Sequence, residues 1–344
     1  MKKIFGKRKN LRRGFTLVEL MAATAIMIVL VMFVTNIAVN MLRIYDKTIS
    51  TLATNADSGM LLDPMQDDLL SASMPDDGNF WFEARYESDV ANLEKYSAPE
   101  LMFFSRPQDR IRRERGSTEL LQGDLCAVSY KIAHKSPFGS KTSSNAGNLV
   151  YGFYRAVLNA KDTFEFAIPY AIGQKGDSES ASIPSKFWKS GEQIEDPSDK
   201  KKYSVSSWRT EMQNFLVDGI VDCSVFFWFD DFSDGKTKIA TVNNSKLVQK
   251  LRDIYPDTTI VTFDKSIAAS AGSVVFDENF QSKTLGALRS MDVSVTVLSP
   301  EGKELLQALQ EQGGSGQVES EKFNEILLEH GATFSRSCPL FGGR

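Results

Sequence analysis

A glycine, a lone carboxylate and seven basic side chains share the first nineteen residues of this 344-residue chain, and their order bears directly on chemistry. Lys2, Lys3, Lys7, Arg8, Lys9, Arg12 and Arg13 precede Gly14-Phe15, and Glu19 follows at the edge of an uncharged run from Leu20 to Leu42. Gly14 has no side chain, so the peptide bond to Phe15 is open to close approach by other groups. Glu19 poses a different problem. An unpaired charge costs about 2.5 to 3.5 kcal/mol at the centre of a membrane helix and less near its end, so a partner is expected for it.

Reactive constellations are sparse in the rest of the chain. Asp230-Asp231-Phe232-Ser233-Asp234-Gly235 brings three carboxylates and a glycine together, as a calcium loop would. Phe232 breaks the EF-hand spacing, and the same residues suit a hairpin turn after an aromatic strand. Calcium at Asp230, Asp231 and Asp234 is therefore one of two readings, and no other cofactor is expected. His134 and His330 are the two histidines available as general bases, and no phosphate loop, nucleophile elbow, zinc helix or dinucleotide signature occurs. A Ser-His-Asp site would have to assemble in space, because triads are defined by geometry. Cys126, Cys223 and Cys338 are odd in number and far apart, which spells neither a disulfide framework nor a zinc motif. One bridge between two of them is compatible with this; Cys126 and Cys223, in apolar runs, read as small buried hydrophobes. Phe226, Trp228, Tyr255 and Phe263 read as core.

The elements that must position these residues begin with the uncharged run. At about 1.5 Å per residue it reaches roughly 35 Å, slightly more than a bilayer's hydrocarbon core. With all seven basic residues on one side, the positive-inside rule keeps the N-terminus cytoplasmic and sends everything after Arg43 across the membrane. The run is too long for a secretory signal peptide, which would also end in an A-x-A-like site. A plain signal anchor has the same length, and Glu19 is what sets this segment apart from one. The formal net charge is −4 despite the basic leader, so the body is acidic and a nucleic-acid partner is not expected, the stretch Arg106 to Arg115 being the one local exception.

Beyond Arg43, Ile44, Thr48, Leu52 and Ala56 continue the helix at intervals of four. Gly59 and Pro64 read as an interruption, with Asp63-Pro64 opening a second helix that ends near Ser73, before Met74-Pro75. Short β-rich runs follow at 101–104, 125–132 and 149–157, spaced for a meander, then at 215–220, 223–229 and 291–298, the last alternating cleanly. These runs give an α+β class: a long membrane-spanning N-terminal helix packed on a mainly antiparallel β-sheet head. The boundaries are a leader at 1–14, a helical segment at 15–74 with its transmembrane part at 20–42, a head at 75–300 with a polar insertion at 173–207, and a helical C-terminal extension at 301–344.

Gly14-Phe15-Thr16-Leu17-Val18-Glu19-Leu20, preceded by Arg12-Arg13, resembles the processing site of type IV prepilins and pseudopilins. The resemblance implies a pilin-like fold, cleavage after Gly14 by a membrane-embedded prepilin peptidase, and methylation of the new amine on Phe15. It also implies a role for Glu19, whose carboxylate would neutralise the N-terminal ammonium of a neighbouring subunit during assembly. Over roughly residues 14 to 300 the order of elements is similar to the J-type minor pseudopilin of type II secretion. The shared pattern is a strand ending in an aliphatic-Ser-Tyr run, a partner carrying Tyr154-Arg155, the turn Leu216-Val217-Asp218-Gly219-Ile220 running on to Cys223, and a final Val-x-Val-x-Val strand. The insertion and the tail are longer than in that subunit; helices at Glu304–Gln310 and Glu321–Glu329 around Gly313-Gly314-Ser315-Gly316 resemble the expanded Verru_Chthon cassette protein C family.

Two functions compete on these grounds. One is a structural pilin- or pseudopilin-like subunit, whose partners would be prepilin peptidase, other pilin or pseudopilin subunits, an inner-membrane assembly platform and lipid. The other is an exported enzyme or binding protein tethered by a plain anchor. DNA uptake would need a basic face on the head, and the acidic balance opposes it.

Overall fold

The computed structural model describes residues 16–75, 81–88, 97–109, 123–135, 150–164, 168, 193–195, 202–204, 212–264, 266–270, 272, 274–276, 286–312 and 320–340. Gly14, Phe15 and most of the 173–207 insertion lie outside them.

Helix α1 runs without a break over Leu17–Leu70. The chain divides into two compact units within it, between Leu52 and Ala53. In the first unit every residue from 16 to 49 is exposed, and the apolar stretch is long and hydrophobic enough to cross a membrane. In the second unit α1 turns Leu61, Leu62, Met65 and Leu69 into the core.

The interruption expected at Gly59 and Pro64 does not occur. Pro64 removes one amide from the ladder, and proline inside a helix costs about 3 kcal/mol. Burying the four apolar side chains that flank it recovers about 1.5 to 3 kcal/mol each. Packing on both sides of the proline therefore holds one helix where the sequence suggests two. The helix stops at Leu70, before Met74-Pro75, and Ser73 N–H then donates to the Phe104 carbonyl at 2.8 Å, tying the exit to the sheet.

The following strands, all in the second unit, are β1 (Phe82–Ser88), β2 (Ser97–Ser105), β3 (Cys126–Lys135) and β4 (Val150–Val157). A two-stranded ribbon follows, β5 (Gln193–Glu195) with β6 (Lys202–Ser204). Then come β7 (Phe215–Asp218), β8 (Ile220–Asp231), β9 (Lys236–Val242), α2 (Ser245–Ile254), β10 (Thr259–Phe263), β11 (Ser266–Ala269), β12 (Val274–Phe276) and β13 (Leu288–Leu298). The chain closes on α3 (Pro300–Gln312), α4 (Ser320–His330) and β14 (Gly331–Pro339).

Seven strands pair antiparallel in the order β12-β11-β1-β2-β3-β4-β7, and five pair in the order β10-β9-β8-β13-β14. In the smaller sheet β9 and β10 are parallel, which requires a crossover, and α2 supplies it. The expected β2-β3-β4 meander is present. The architecture is α+β, with the inner end of α1 packed on a largely antiparallel sheet head. On β8, Cys223, Val225, Phe227 and Phe229 alternate into a core shared with the larger sheet. Phe82 of β1 meets Phe227 edge-on with ring centroids 5.8 Å apart, and the Tyr86 hydroxyl donates to the Val225 carbonyl at 2.7 Å.

Two further expectations are corrected. Of the four aromatics read as core, Phe263 is buried, whereas Phe226, Trp228 and Tyr255 are half-buried. The reason is strand alternation: Phe226 and Trp228 fall on the face of β8 opposite Phe227, where Trp228 packs edge-on against Tyr255 at 5.0 Å and donates to Asp292 at 2.7 Å. The C-terminal extension is not purely helical. Its last segment, β14, pairs with β13 from Ser290↔Pro339 to Leu298↔Gly331, and Cys338 of β14 and Leu340 just beyond it are buried in the main core. Leu306, Phe323 and Ile326 of α3 and α4 bury a second cluster with Tyr151, Val221 and Leu298. The extension thus completes the head.

Candidate functional site

The first turn of α1 explains how Glu19 is tolerated. Thr16 N–H donates to Glu19 Oε2 at 3.0 Å, the Thr16 hydroxyl donates to the same oxygen at 3.1 Å, and Glu19 N–H donates back to Thr16 Oγ1 at 3.3 Å. This is a capping box, Thr-x-x-Glu, satisfying two helix-end amides reciprocally. A carboxylate that accepts these bonds is better tolerated near the end of a membrane helix than one with no partner. The cap thus gives Glu19 partners within its own helical turn. The Thr16 and Glu19 spacing is visible in the sequence, and it is the signal that would have found the cap.

Within the head, α1 is fastened by a group that sequence reasoning missed. Asp68 lies on the buried face of the helix and is 2% exposed. It accepts from the Tyr130 hydroxyl at 2.6 Å and from Arg155 through Nε at 2.8 Å and Nη2 at 2.9 Å. Tyr130 and Arg155 are direct cross-strand partners on β3 and β4, so one pair of residues in the sheet presents both donors to one carboxylate. The other edge of the guanidinium grips Asp109, at 2.5 and 2.9 Å. Burial works against the charge on Arg155, and its bonds to Asp68 and Asp109 raise its pKa well beyond its ordinary value. Burial and the neighbouring Asp68 push the Tyr130 hydroxyl up, and the Arg155 bond holds the Asp109 carboxyl down. A cavity of 390 Å³ opens beside this group, lined by Pro64, Asp67, Arg106 and Asp109 among others. The signal was an acid at the apolar spacing of Leu61, Met65 and Leu69 on a helix, with an arginine inside a β-run.

The extension adds two more ties to α1. Lys303 of α3 reaches Asp57 at 2.8 Å and Asp218 at 2.5 Å. Gly219, next to Asp218, has φ +73°, and a Cβ there would lie 2.4 Å from Lys303 Cε. The Asp-Gly turn thus makes room for the lysine as well as supplying the left-handed backbone. Arg336 of β14 pairs with Asp63.

The aspartate loop is a turn between β8 and β9. Lys238 bonds Asp231 at 2.5 Å and Asp234 at 3.1 Å, and Arg289 bonds Asp230 at 2.5 Å. The Lys238 bond holds the Asp231 carboxyl down at about 2. The three carboxylates thus face protein cations, Asp231 and Asp234 sharing Lys238; among the described residues no set of three His, Cys, Asp or Glu side chains is arranged to hold a metal ion. Cys126, Cys223 and Cys338 are all buried, and none forms a disulfide with another described residue.

The two histidines serve the extension. Gln310 places its amide nitrogen 3.0 Å from His134 Nε2, and the imidazole stacks on Tyr151 at 4.4 Å. His330 Nδ1 lies 3.4 Å from Ser299 Oγ and its Nε2 3.9 Å from Glu329. That trio has the residue types of a hydrolytic triad, but the serine oxygen already accepts Gly302 N–H at 3.1 Å, capping α3 immediately before Pro300.

Burial lowers the pKa of His134 to about 4. Its ordinary value is about 6.5, so the unfolded chain binds the extra proton first as pH falls. Stability from the neutral ring is complete above about pH 6.5 and is lost by about pH 4, a change of about 2 to 3 kcal/mol by linkage. Urea midpoints of the full chain in detergent, taken at pH 7 and pH 4, are expected to fall less in His134→Phe than in the unmodified chain. Equal falls would exclude His134 as the titrating group.

The prokaryotic N-terminal methylation motif matches residues 9–35. No curated protein and no solved structure matches the chain. The matched segment contains Gly14, Phe15, the Thr16 and Glu19 cap and the apolar run as far as residue 35, and the membrane-anchoring helix begins within it and continues beyond it. Over this N-terminal segment, the chain carries the methylation motif that type IV prepilins and pseudopilins share.

Proposed function

We propose that the chain is a minor pilin- or pseudopilin-like structural subunit, cut by prepilin peptidase after Gly14, methylated on Phe15, and drawn through α1 into a type II secretion or type IV pilus-like filament. The observation that carries this reading is the methylation motif at 9–35 running straight into a helix whose residues 16–49 are all exposed. Such a helix needs lipid or other helices around it. The leader lies in the cytoplasm and the head beyond the inner membrane, with an assembly platform and other pilin or pseudopilin subunits as partners. The element order favours a J-type subunit enlarged by its extension.

Co-expression with a prepilin peptidase tests this directly. The intact mass is expected to drop by residues 1–14 and gain one methyl group, Gly14→Ala is expected to slow the cut, and Gly14→Val to block it. A mature chain that still begins at Met1 would reject the proposal in favour of an exported protein on a plain anchor.

A further inference from the structure

The apolar half of α1 carries polar side chains of two kinds. Thr24 and Thr35 are satisfied within the helix, their hydroxyls donating to the Met21 carbonyl at 2.9 Å and the Val31 carbonyl at 2.8 Å. Asn36 and Asn40 are not: both are exposed, and neither carboxamide makes a hydrogen bond among the described residues. At about 1.5 Å per residue Asn40 sits roughly 3 Å inside the outer end of the span at Leu42, within reach of headgroups and water, whereas Asn36 sits roughly 9 Å inside it. An unpartnered amide in hydrocarbon costs several kcal/mol, so Asn36 requires a donor and an acceptor at its own depth.

The spacing around Asn36 shows where they come from. Ala22, Ala25, Val29, Met32, Asn36 and Val39 repeat at alternating intervals of three and four, the seam along which two helices pack side by side. Small residues at its inner end allow close approach, and a single asparagine in such a seam fixes register and number of strands. Past the span, Arg43 and Asp46 continue the same stripe and are exposed, offering opposite charges that two parallel chains can exchange.

We infer that Asn36 pairs with Asn36 of a second copy of this chain, forming a parallel helix dimer in the membrane. The second copy is the occupant favoured because a carboxamide both donates and accepts, so two identical ones at identical depth satisfy each other. Copies inserted with the same orientation hold them at that depth. The inference rests on α1 crossing the bilayer as proposed above, and not on cleavage after Gly14.

Self-association of the full chain, labelled near Arg344 with donor or acceptor dyes, is to be measured by energy transfer in phosphatidylethanolamine and phosphatidylglycerol vesicles across protein-to-lipid ratios. Asn36→Leu is expected to weaken the dimer about tenfold, in line with interhelical polar bonds in membranes. Asn36→Gln and Asn40→Leu are each expected to stay within about threefold of the unmodified chain, the first because it keeps the amide and the second because its site is wet. An Asn36→Leu chain that associates as tightly as the original overturns the inference, as does an original chain that remains monomeric at every ratio, including because it pairs with a different prepilin. Intact mass on the same samples reports cleavage separately, so the two readings fail independently.

Discussion

Chains carrying Glu19→Gln are expected to be cut after Gly14 and methylated normally, yet to enter filaments roughly 100-fold less than the original. We propose that packed subunits bury Glu19 against the Phe15 ammonium of a neighbour; removing one member of such a pair costs about 3 to 5 kcal/mol, because the partner charge is left without compensation. At about 1.4 kcal/mol per tenfold change, the lower figure already exceeds two decades. Glu19→Ala should behave in the same way. The Thr16 and Glu19 cap makes the choice of substitution decisive. Glutamine can keep the reciprocal bonds of the capping box while losing the charge; Thr16→Val does the reverse, removing the hydroxyl that bonds both ways at 3.1 and 3.3 Å and retaining the carboxylate. Loss of a cap costs about 1 kcal/mol, so Thr16→Val should lower incorporation only about fivefold. Comparing sheared-filament yield with membrane-retained subunit measures both. If the glutamine chain assembles at the original rate, Glu19 is a helix cap and the charge has no part in assembly.

Arg155→Met is expected to destabilise the head by about 3 to 5 kcal/mol, the cost of leaving Asp68 buried and unpaired. Domains of ordinary stability have only about 5 to 15 kcal/mol to lose, so a large part of the population should unfold under mild conditions. The asymmetry of the site makes the prediction specific. Asp109, on the outer edge of the guanidinium, is 64% exposed on its side chain, against 2% for Asp68. Water and salt screen an exposed partner, so Asp109→Ala should cost under about 1 kcal/mol. Replacing the inner pair together, Asp68→Leu with Arg155→Met, should recover much of the loss, since a buried pair exchanged for apolar side chains is often neutral. Urea unfolding of the full chain in detergent, followed by tryptophan emission, to which Trp81 and Trp228 of the head contribute, reads these differences. An unchanged midpoint for Arg155→Met would mean that apolar packing alone seats the helix.

The Asp68 clamp also gives the head a mechanical relation to its own portion of α1. Lys303 on Asp57, Arg336 on Asp63 and Arg155 on Asp68 place three cations from α3, β14 and β4 along one helix. Of these, the Arg155 pair is the most withdrawn from solvent, with Asp68 buried and Arg155 nearly so, and by the screening argument it dominates the energetics. The other two ties come from the C-terminal extension. An extension that looks dispensable by its glycine-rich linker is therefore structurally continuous with the helix seat.

The sequence alone determined the N-terminal segment. Its leader charges, Gly14, Glu19 and the uncharged run from Leu20 to Leu42 lie within a few helical turns of one another, and their physics is set by spacing and by the contrast between water and lipid. The alternating strands of the head were legible for the same local reason, since period two is written into 291–298 and 223–229. Tertiary structure decided what depends on distant partners. Pro64 stays inside one helix because its neighbours are buried by strands that follow it in the chain. The residues after His330 become a strand because β13 offers an edge, and Phe226 and Trp228 face outward because register assigns them to that side. Asp68 meets Tyr130 and Arg155 across 62 and 87 residues of sequence, a separation over which no local pattern carries information. Closing loops of that length and pairing those charges are a single event of folding, visible only in the folded chain.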